Sequence, residues 1–410
     1  RHLSASKLRT SIFALIAFFL GISIIAFPKE SLDASTKGLM MWWEVVFPSL
    51  LPFFVVSELM IGLGVVRFIG VLLEPLMRPL FHVPGVGGFV WAMGMASGFP
   101  AGAKFTARLR QENQLTAIEA ERLVAFTNSS NPLFMGGAIA VGFFHDAALG
   151  VVLIASHYLG NFCVGLTMRY HGVHQENRSK KTERSFPSIK KAFHEMHQTI
   201  QNDQRPFGKL LGDSVNRGIQ TLLMIGGFII LFSVLQRLLS IVNIAQPFTF
   251  ALGKLLSLLG IPSELSESLF SGLFEITIGS QMASETEQAS LLYQIMITSF
   301  ILAFNGFSVQ AQVASILAET DIRFRPFLIA RLIHGLFAMM FTALLWNPLY
   351  VNIETNQKTT GILAVFSHQH EQASNFFTAA WSFLTASGPI ITLACLVGFI
   401  IFQLKTLAAK

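Results

Sequence analysis

The chain has 410 residues, of which 52% are hydrophobic and only 13% are charged. A soluble globular domain carries about 25% charged residues, so the composition excludes an ordinary soluble domain and indicates a multipass membrane protein. The net charge of +6 comes from basic residues between the apolar runs, which is a signal of topology and not of nucleic-acid binding. The two cysteines lie far apart in apolar stretches and form no redox or zinc pattern.

The first apolar runs predict two membrane spans joined by a polar loop. Residues 8–27 are longer than a secretory signal core and lack a small-residue cleavage site, so we interpret them as a retained span. Residues 28–38 predict a loop on the outer side, and residues 39–66 predict a second span kinked at Pro48 and Pro52. Residues 67–82 mix charged and apolar positions and predict an amphipathic helix at the membrane interface.

A re-entrant hairpin is predicted next. Residues 86–109 begin as an apolar segment that the turn sequence SGFPAGA divides at residues 97–103. Arg78 precedes the segment, and Lys104 and Arg108 lie at its end. Because basic residues favour the cytoplasmic side, both ends of the segment are expected on that side, and the chain must enter the membrane and return.

A polar interruption lies within the following apolar stretch, residues 126–144. Pro132 lacks a backbone N–H and disfavours helical geometry at Asn131, so a helix through NSSNP at residues 128–132 must break or kink. A broken helix at membrane depth is tolerated where it faces protein or a water-filled cavity, and secondary transporters place substrate sites at such breaks. Residues 147–168 predict a returning span.

The one long hydrophilic connection, residues 169–209, carries nine Lys or Arg residues against four acidic residues. This bias is typical of a cytoplasmic linker. Its four histidines do not have the spacing of a closed zinc site, and we interpret them as solvated linker residues.

The second half repeats the order of the first. It predicts a span (213–239), an amphipathic helix (248–259), a hairpin (265–284), a broken span (289–317) and a span (326–348), and residues 376–403 predict a last span. The predicted fold is all-α, with about eight transmembrane helices and two re-entrant hairpins in two inverted repeats, and with broken helices at the centre. The predicted divisions are the first span and outer loop (1–38), the first repeat (39–168), the linker (169–209), the second repeat (210–350) and an outer loop with the last span (351–410).

Basic residues predict one orientation for the whole chain. The two termini and residues 67–78, 104–122, 169–209 and 323–325 are expected on the cytoplasmic side, and residues 28–38, 145–146 and 351–375 on the outer side. The first repeat then begins outside and the second inside, an inversion that lets a central site face alternate sides of a membrane.

The interruptions supply candidate ligand contacts. Helix N-termini attract anions, small residues let the backbone approach a ligand, and neutral polar side chains offer hydrogen bonds. The predicted substrate-binding residues are Ser97, Gly98, Gly102, Asn128, Ser129, Ser130, Asn131, Glu275, Thr277, Gln281, Asn305, Ser308 and Gln310. The alternative for the polar and small residues is helix packing. Interruptions at matching places in both halves favour a ligand-lined cavity.

Glu275 is an acid at bilayer depth, where an ionisable residue is a functional candidate by default. It could couple transport to a proton, bind a cation or bind a substrate hydroxyl, and the alternative is a helix cap or an ion pair. Lys104 is the cation nearest to a break and suits either an anionic substrate or a topogenic role. No cofactor and no metal are predicted, and the coupling ion, H⁺ or Na⁺, stays open.

Several motifs resemble those of the sporulation integral membrane protein family called YlbJ or SpoVV, within the wider group that carries the nucleoside-recognition Gate domain. They are PSLLPFF (48–54), SGFPAGA (97–103), EAERL (119–123), TNSSNPLF (127–134), AVGFF (140–144), HYLG (157–160), GGFIILFSV (226–234), EITIG (275–279), FNGFSVQAQ (304–312) and ARLIH (330–334). The resemblance implies a multipass protein of spore-forming bacteria that moves dipicolinic acid, a small pyridine dicarboxylate, across the outer forespore membrane. The wider group is also similar in plan to concentrative nucleoside transporters.

Two classes of function remain as hypotheses. The first is secondary transport of a small organic anion, dipicolinate by resemblance, with a nucleoside or another small solute as the alternative substrate. The second is a receptor or an assembly scaffold for sporulation that binds without transport. The hydrophobic region contains no Ser, His and Asp in the order of a catalytic triad, no metal-ligand spacing and no phosphate-binding loop, so an enzyme is not predicted. The sequence leaves the oligomeric state open, a homo-oligomer included.

Overall fold

The computed structural model describes residues 5–173, 189–203 and 205–351 of the 410-residue chain. All regular structure within these residues is helical, which confirms the predicted all-α class. The α-helices are α1 (Ala5–Ala26), α2 (Pro28–Met41), α3 (Phe47–Gly62), α4 (Val65–Phe81), α5 (Val86–Ser97), α6 (Ala101–Gln111), α7 (Ala117–Thr127), α8 (Ala148–Met168), α9 (Ile189–Asn202), α10 (Phe207–Ile241), α11 (Ala245–Leu258), α12 (Ser266–Phe274), α13 (Ile276–Ser284), α14 (Leu291–Phe304), α15 (Gly306–Leu317) and α16 (Phe324–Trp346). The other helical segments are π-helical at Trp42–Val46, Phe134–Phe143 and Asn347–Val351, with a 3₁₀ turn at Ser263–Leu265.

Four helical segments in the described residues are long and apolar enough to cross a membrane: Ala148–Met168, Phe207–Ile241, Leu291–Leu317 and Phe324–Val351. Two bent helix pairs, Ala14–Ala26 with Pro28–Glu44 and Leu50–Gly62 with Val65–Phe81, raise the number to six if each pair is one span. By length and composition, these helices fit the predicted integral membrane protein. The last predicted span, at 376–403, lies outside the described residues.

The predicted outer loop at residues 28–38 is wrong, because these residues form helix α2. Pro28 occupies the first turn, where its fixed φ favours a helix and its missing N–H costs nothing. One face of α2 carries small residues, and at Gly38 a Cβ atom would lie 3.0 Å from the Cα of Ile230 on α10. The close packing of this face on α10 stabilises a helix whose polar residues alone would not indicate one.

The two halves have the same order of elements in the structure. In the first half, α2 and α3 are followed by α4, the pair α5–α6, the broken helix beginning with α7, and α8. In the second half, α10 takes the place of α2 and α3, and α11 takes the place of α4. The pair α12–α13, the broken helix α14–α15 and α16 then follow in the same order. Corresponding helices also pack on each other, α3 on α10 and α8 on α16. Both observations support the prediction of two repeats, whose opposite orientation in the membrane stays a prediction.

Neither predicted hairpin is long enough to cross a bilayer on one arm. The arms contain 12 and 11 residues in α5 and α6, and 9 residues in each of α12 and α13. At 1.5 Å per residue each arm is about 14–18 Å long, roughly half of the hydrocarbon thickness. Arms of this length fit the predicted re-entrant hairpins, which enter the membrane and return without crossing it.

An aromatic cluster fixes the first hairpin against its neighbours. Phe81 at the end of α4 stacks on Phe126 of α7 with ring centroids 4.5 Å apart, and both side chains are fully buried. Trp91 of α5 meets Phe81 edge-on at 5.5 Å and stacks on Phe162 of α8 at 6.3 Å. Such pairs add to the energy of burial and are directional, so they hold the hairpin in one position.

Candidate functional site

Four interruptions of helices form the framework of the site. Helix α7 ends at Thr127, and the chain is non-helical at residues 128–131 before a helix resumes at Pro132. Helices α14 and α15 meet at Asn305, whose φ of 76° lies in the left-handed region that asparagine tolerates better than most residues. The hairpin turns lie at residues 98–100, between α5 and α6, and at Glu275, between α12 and α13.

Hydrogen bonds join these interruptions to one another. The side-chain nitrogen of Asn131 donates to the carbonyl oxygen of Ser97 at 3.0 Å, which ties the first break to the first hairpin turn. The side-chain amide nitrogen of Asn305 is directed at the carbonyl oxygens of Leu302 and Ala303 on α14. In this orientation the side-chain oxygen of Asn305 accepts a hydrogen bond from Asn128 Nδ2 at 3.1 Å. The two broken helices are therefore in direct contact at their breaks.

A cavity of about 310 Å³ lies where the interruptions meet. Its volume is at the lower end of the range of about 300–1,000 Å³ that small-molecule sites occupy. The lining residues are Met41, Val46, Leu50, Ser97, Gly98, Phe99, Ser130, Asn131, Leu133, Phe134, Gly137, Ala138, Ile225, Ile229, Glu275, Ile276, Thr277, Ser308, Val309 and Gln312. Mostly apolar walls with a few convergent polar groups are typical of a ligand site.

Three hydroxyl groups of the lining have no hydrogen-bond partner among the described residues. They belong to Ser97, Ser130 and Ser308, one from each of three interrupted elements, and all three residues are buried. Buried polar atoms are nearly always hydrogen-bonded, so each orphaned group calls for a specific explanation. A polar ligand in this cavity would supply the missing partners.

Four helices begin at the interruptions and supply the positive ends of their dipoles to this region. They are α6, the helix that resumes at Pro132, α13 and α15. The unpaired N–H groups of a helix start attract carboxylates. Asn131 caps one of these starts, because its Oδ1 accepts from Phe134 N at 2.7 Å, while no side chain caps α6 or α15.

Glu275 both caps a helix and lines the cavity. Its carboxylate accepts hydrogen bonds from the backbone N–H groups of Thr277 at 2.8 Å and Ile278 at 2.9 Å, and from the Thr277 hydroxyl at 3.2 Å. Glu275 is the one charged residue in the described lining. The predicted functional role and the alternative of a helix cap are thus compatible in this geometry.

The structure brings seven of the thirteen predicted residues into the lining: Ser97, Gly98, Ser130, Asn131, Glu275, Thr277 and Ser308. Five others, Gly102, Asn128, Ser129, Asn305 and Gln310, are buried beside them without lining the cavity. Gly102 packs against α7, where a Cβ would overlap the Thr127 carbonyl oxygen. Gln310 donates to the Phe304 carbonyl oxygen at 3.0 Å across the second break.

The thirteenth residue, Gln281, lies apart from this group. It is exposed on α13, and its amide donates to Glu285 at 3.0 Å. It lines a different cavity, which lies between α2, the C-terminal half of α10 and α13.

Arg331 of α16 supports the first break from behind and was not among the predicted site residues. Its guanidinium is fully buried and donates to the carbonyl oxygens of Asn128, at 2.8 Å, and Ala125. These carbonyl groups belong to the C-terminal end of α7, where helix N–H partners are lacking and a cation is favoured. The sequence does contain a sign of this role, because an arginine within an otherwise apolar span is a functional candidate by default.

Two buried histidines continue this network. His334 Nδ1 lies 3.0 Å from Arg331 Nη1, and His334 Nε2 lies 2.8 Å from the His157 carbonyl oxygen. His157 Nε2 in turn accepts from the backbone N–H of Ser130 at 3.1 Å. Helices α8 and α16 therefore fix both ends of the interruption at residues 128–131.

Lys104, the predicted cation near a break, is not part of the cavity lining. Its Nζ lies 3.4 Å from Glu58 Oε1 and 4.6 Å from the centre of the Phe54 ring. The other oxygen of Glu58 lies 3.3 Å from Arg217 Nη1 on α10. Lys104 thus belongs to an ion cluster between α3, α6 and α10.

The fold and the site define a class: a multipass α-helical membrane protein with interrupted helices around a central cavity. Residues 43–144 match the Gate family model, which is described as nucleoside recognition. The chain is 55% identical over 402 residues to the sporulation integral membrane protein YlbJ of Bacillus subtilis (strain 168), a match that covers 97% of both chains. The chain belongs to this family of sporulation integral membrane proteins. No solved structure matches the chain.

Proposed function

We propose that the protein is a transporter, and not an enzyme, that moves a small organic anion across a membrane during sporulation. The substrate is dipicolinic acid, and the membrane is the outer forespore membrane, with both termini in the cytoplasm. The observation that carries this proposal is the convergence of four helix interruptions on one cavity of about 310 Å³. Membership of a sporulation family supports the biological setting.

The chemistry of the cavity suits a planar ligand with carboxylate groups. Apolar residues such as Ile225 and Ile229 can contact the faces of a ring, and the hydroxyls of Ser97, Ser130 and Ser308 can donate to carboxylate oxygens. The uncapped helix starts of α6 and α15 add N–H groups with partial positive charge.

Glu275 gives a reason for coupling to protons. An anion next to an ionised Glu275 would be repelled, because like charges at close range in a region of low dielectric constant interact strongly. A proton on Glu275 removes this repulsion, so the anion and the proton would bind together. We therefore propose H⁺ as the coupling ion.

Uptake by proteoliposomes containing the full-length protein tests this proposal. We expect labelled dipicolinate to accumulate above the level of empty vesicles when an inward proton gradient is imposed. In Glu275→Gln the gradient should no longer stimulate uptake, although exchange of internal for external dipicolinate continues. Glu285→Gln, a change of an exposed acid at the other end of α13, is the matched control and should keep the stimulation.

The same vesicles decide between the proposal and its alternatives. Absence of uptake above empty vesicles would refute transport of dipicolinate. The nucleoside alternative is supported by the description of the Gate family model. It predicts that the vesicles take up uridine and that uridine inhibits any uptake of dipicolinate. A receptor or a scaffold would bind dipicolinate without flux, and its loss-of-function variants would map to the linker around α9.

A further inference from the structure

Three cavities follow one helix, α10, along its length. A cavity of about 290 Å³ is lined by Asp213, Ser214 and Arg217 of α10. We call it the linker-side cavity, because the linker residues Thr199, Asn202, Asp203 and Arg205 also line it. Ile225 and Ile229 line the central cavity, and residues 233–240 line a far cavity of about 930 Å³. At a rise of 1.5 Å per residue, Arg217 and Ile225 are about 12 Å apart along the helix axis. The cavities therefore form a series across the molecule.

The barrier between the central and linker-side cavities is thin. On α3, Leu50 lines the central cavity and Glu58 lines the linker-side cavity. On α10 the corresponding residues are Ile225 and Arg217. Both pairs are eight residues apart, so the lining residues of the two cavities lie about 12 Å apart along each helix axis.

Three side chains fill this barrier. Phe54 and Leu222 are fully buried between the two cavities on α3 and α10. Lys104 lies on α6 between Phe99, which lines the central cavity, and Arg108, which lines the linker-side cavity. The ammonium group of Lys104 lies 4.6 Å from the centre of the Phe54 ring, which places it within this barrier.

The charges at the barrier are divided unevenly. Glu58 gives one carboxylate oxygen to Lys104 at 3.4 Å and the other to Arg217 at 3.3 Å, and its side chain is only 4% exposed. Both distances exceed the 2.7–2.9 Å of a charge-assisted hydrogen bond. Two cations thus share one carboxylate loosely, which leaves a formal charge of +1.

The other charged residues around the linker-side cavity leave the same surplus. Glu112 lies 2.9 Å from Arg108, and Asp203 and Asp213 share Arg205, with Asp213 at 2.7 Å. Arg67 also lines this cavity, so with Lys104 included there are five cations and four acids. An anion that enters from the linker-side cavity therefore meets a cluster with one cation in excess, in which Lys104 and Arg217 share a single carboxylate.

We propose that Lys104 and Arg217 form an anion subsite for small dicarboxylates on the path to the central cavity, and that Glu58 is the internal carboxylate that the ligand displaces. A dicarboxylate supplies one carboxylate group to each cation, which a monocarboxylate does not. The subsite rests on the proposed function for its place on a transport path, but its binding chemistry does not depend on flux.

Thermal unfolding of the purified full-length protein in detergent tests the subsite without transport. Glu58→Gln removes the internal competitor, so pyridine-2,6-dicarboxylate should raise the melting temperature of this variant more than that of the unchanged protein. Pyridine-2-carboxylate, with a single carboxylate, should raise it less. The added change Arg217→Gln should return the difference between the two ligands to the size that it has in the unchanged protein, because the central cavity is not altered. Arg110→Gln, which breaks the exposed pair with Asp321, is the control and should respond as the unchanged protein does.

Uptake kinetics give a second test on folded variants. Lys104→Gln and Arg217→Gln should each raise the KM for dipicolinate by about tenfold, the loss expected for one charge-assisted hydrogen bond, with a smaller change in kcat. If the unchanged protein shows no uptake but the dicarboxylate stabilises Glu58→Gln selectively, the subsite stands and the transport proposal fails.

Two results would overturn the subsite. One is equal stabilisation of Glu58→Gln by the two pyridine carboxylates. The other is an unchanged KM in Lys104→Gln and Arg217→Gln when the unchanged protein transports dipicolinate. If Glu58→Gln does not fold, the KM values of Lys104→Gln and Arg217→Gln decide whether the subsite exists.

Discussion

At the scale of single residues, Asn131 connects the cavity to its framework. Its amide donates to Ser97 at the first hairpin turn, its side-chain oxygen caps the resumed helix at Phe134, and the residue itself lines the cavity. The side chain of Asn131 therefore fixes both the shape of the cavity wall and the direction of a helix start.

We expect Asn131→Ala to reduce dipicolinate uptake by at least about tenfold, because two hydrogen bonds that hold the break are lost together. The amount of protein in the membrane should stay the same, since the apolar spans are unchanged. Gln281→Ala is the matched control, because Gln281 is a polar residue of the second hairpin that lies outside the central cavity. Equal uptake by both variants would contradict a role for Asn131 in the site.

At the scale of elements, the helix interruptions could be predicted from local chemistry, but the helices and side chains that pack around them could not. Pro132 breaks a helix by its covalent structure, and Asn305 with Gly306 supplies the left-handed conformations that a break needs. Ile225 and Ile229 were missed because apolar residues in a span carry no local sign of which face meets a cavity. Helix α2 was missed because its stability comes from packing on α10, which is a tertiary effect.

The support that α16 gives to the first break leads to a prediction about stability. Arg331→Met leaves the carbonyl oxygens of Ala125 and Asn128 without their buried donor, at a cost of about 1–3 kcal/mol each. We expect a lower melting temperature in detergent and loss of uptake. Arg331→Lys should recover part of both, because an ammonium group can bind one carbonyl well but lacks the fork of the guanidinium.

The control for this experiment lies on the same helix. Arg325 is exposed in the first turn of α16, so Arg325→Met removes an equal charge without disturbing the break. A fall in melting temperature that is the same for Arg325→Met and Arg331→Met would show that the effect comes from charge and not from the buried hydrogen bonds.

At the scale of the whole molecule, contacts between distant segments agree with the predicted sides of the membrane. Segments predicted on the cytoplasmic side contact each other, as in the pair Arg110–Asp321 at 2.7 Å and the pair Glu121–Arg323 at 2.6 Å. Segments at the predicted outer side do the same, since Tyr350 donates to Asp146 at 2.8 Å. This grouping supports the inverted arrangement of the two repeats.

The inverted arrangement predicts that the linker-side and far cavities open to opposite sides of the membrane. Asn202 of α9 lines the first cavity and Gln246 of α11 lines the second, and both residues are exposed. Single cysteines at these positions, in a background with Cys163→Ser and Cys395→Ser, can be labelled with a membrane-impermeant maleimide. In intact vegetative cells made to produce the variants in their plasma membrane, the reagent should label Gln246→Cys only, and after permeabilisation it should label both. Labelling of both variants in intact cells that exclude the reagent would contradict the inversion. Helix α9 packs on α4, the equivalent of α11, and parallel repeats would place α4 and α11 on the same side.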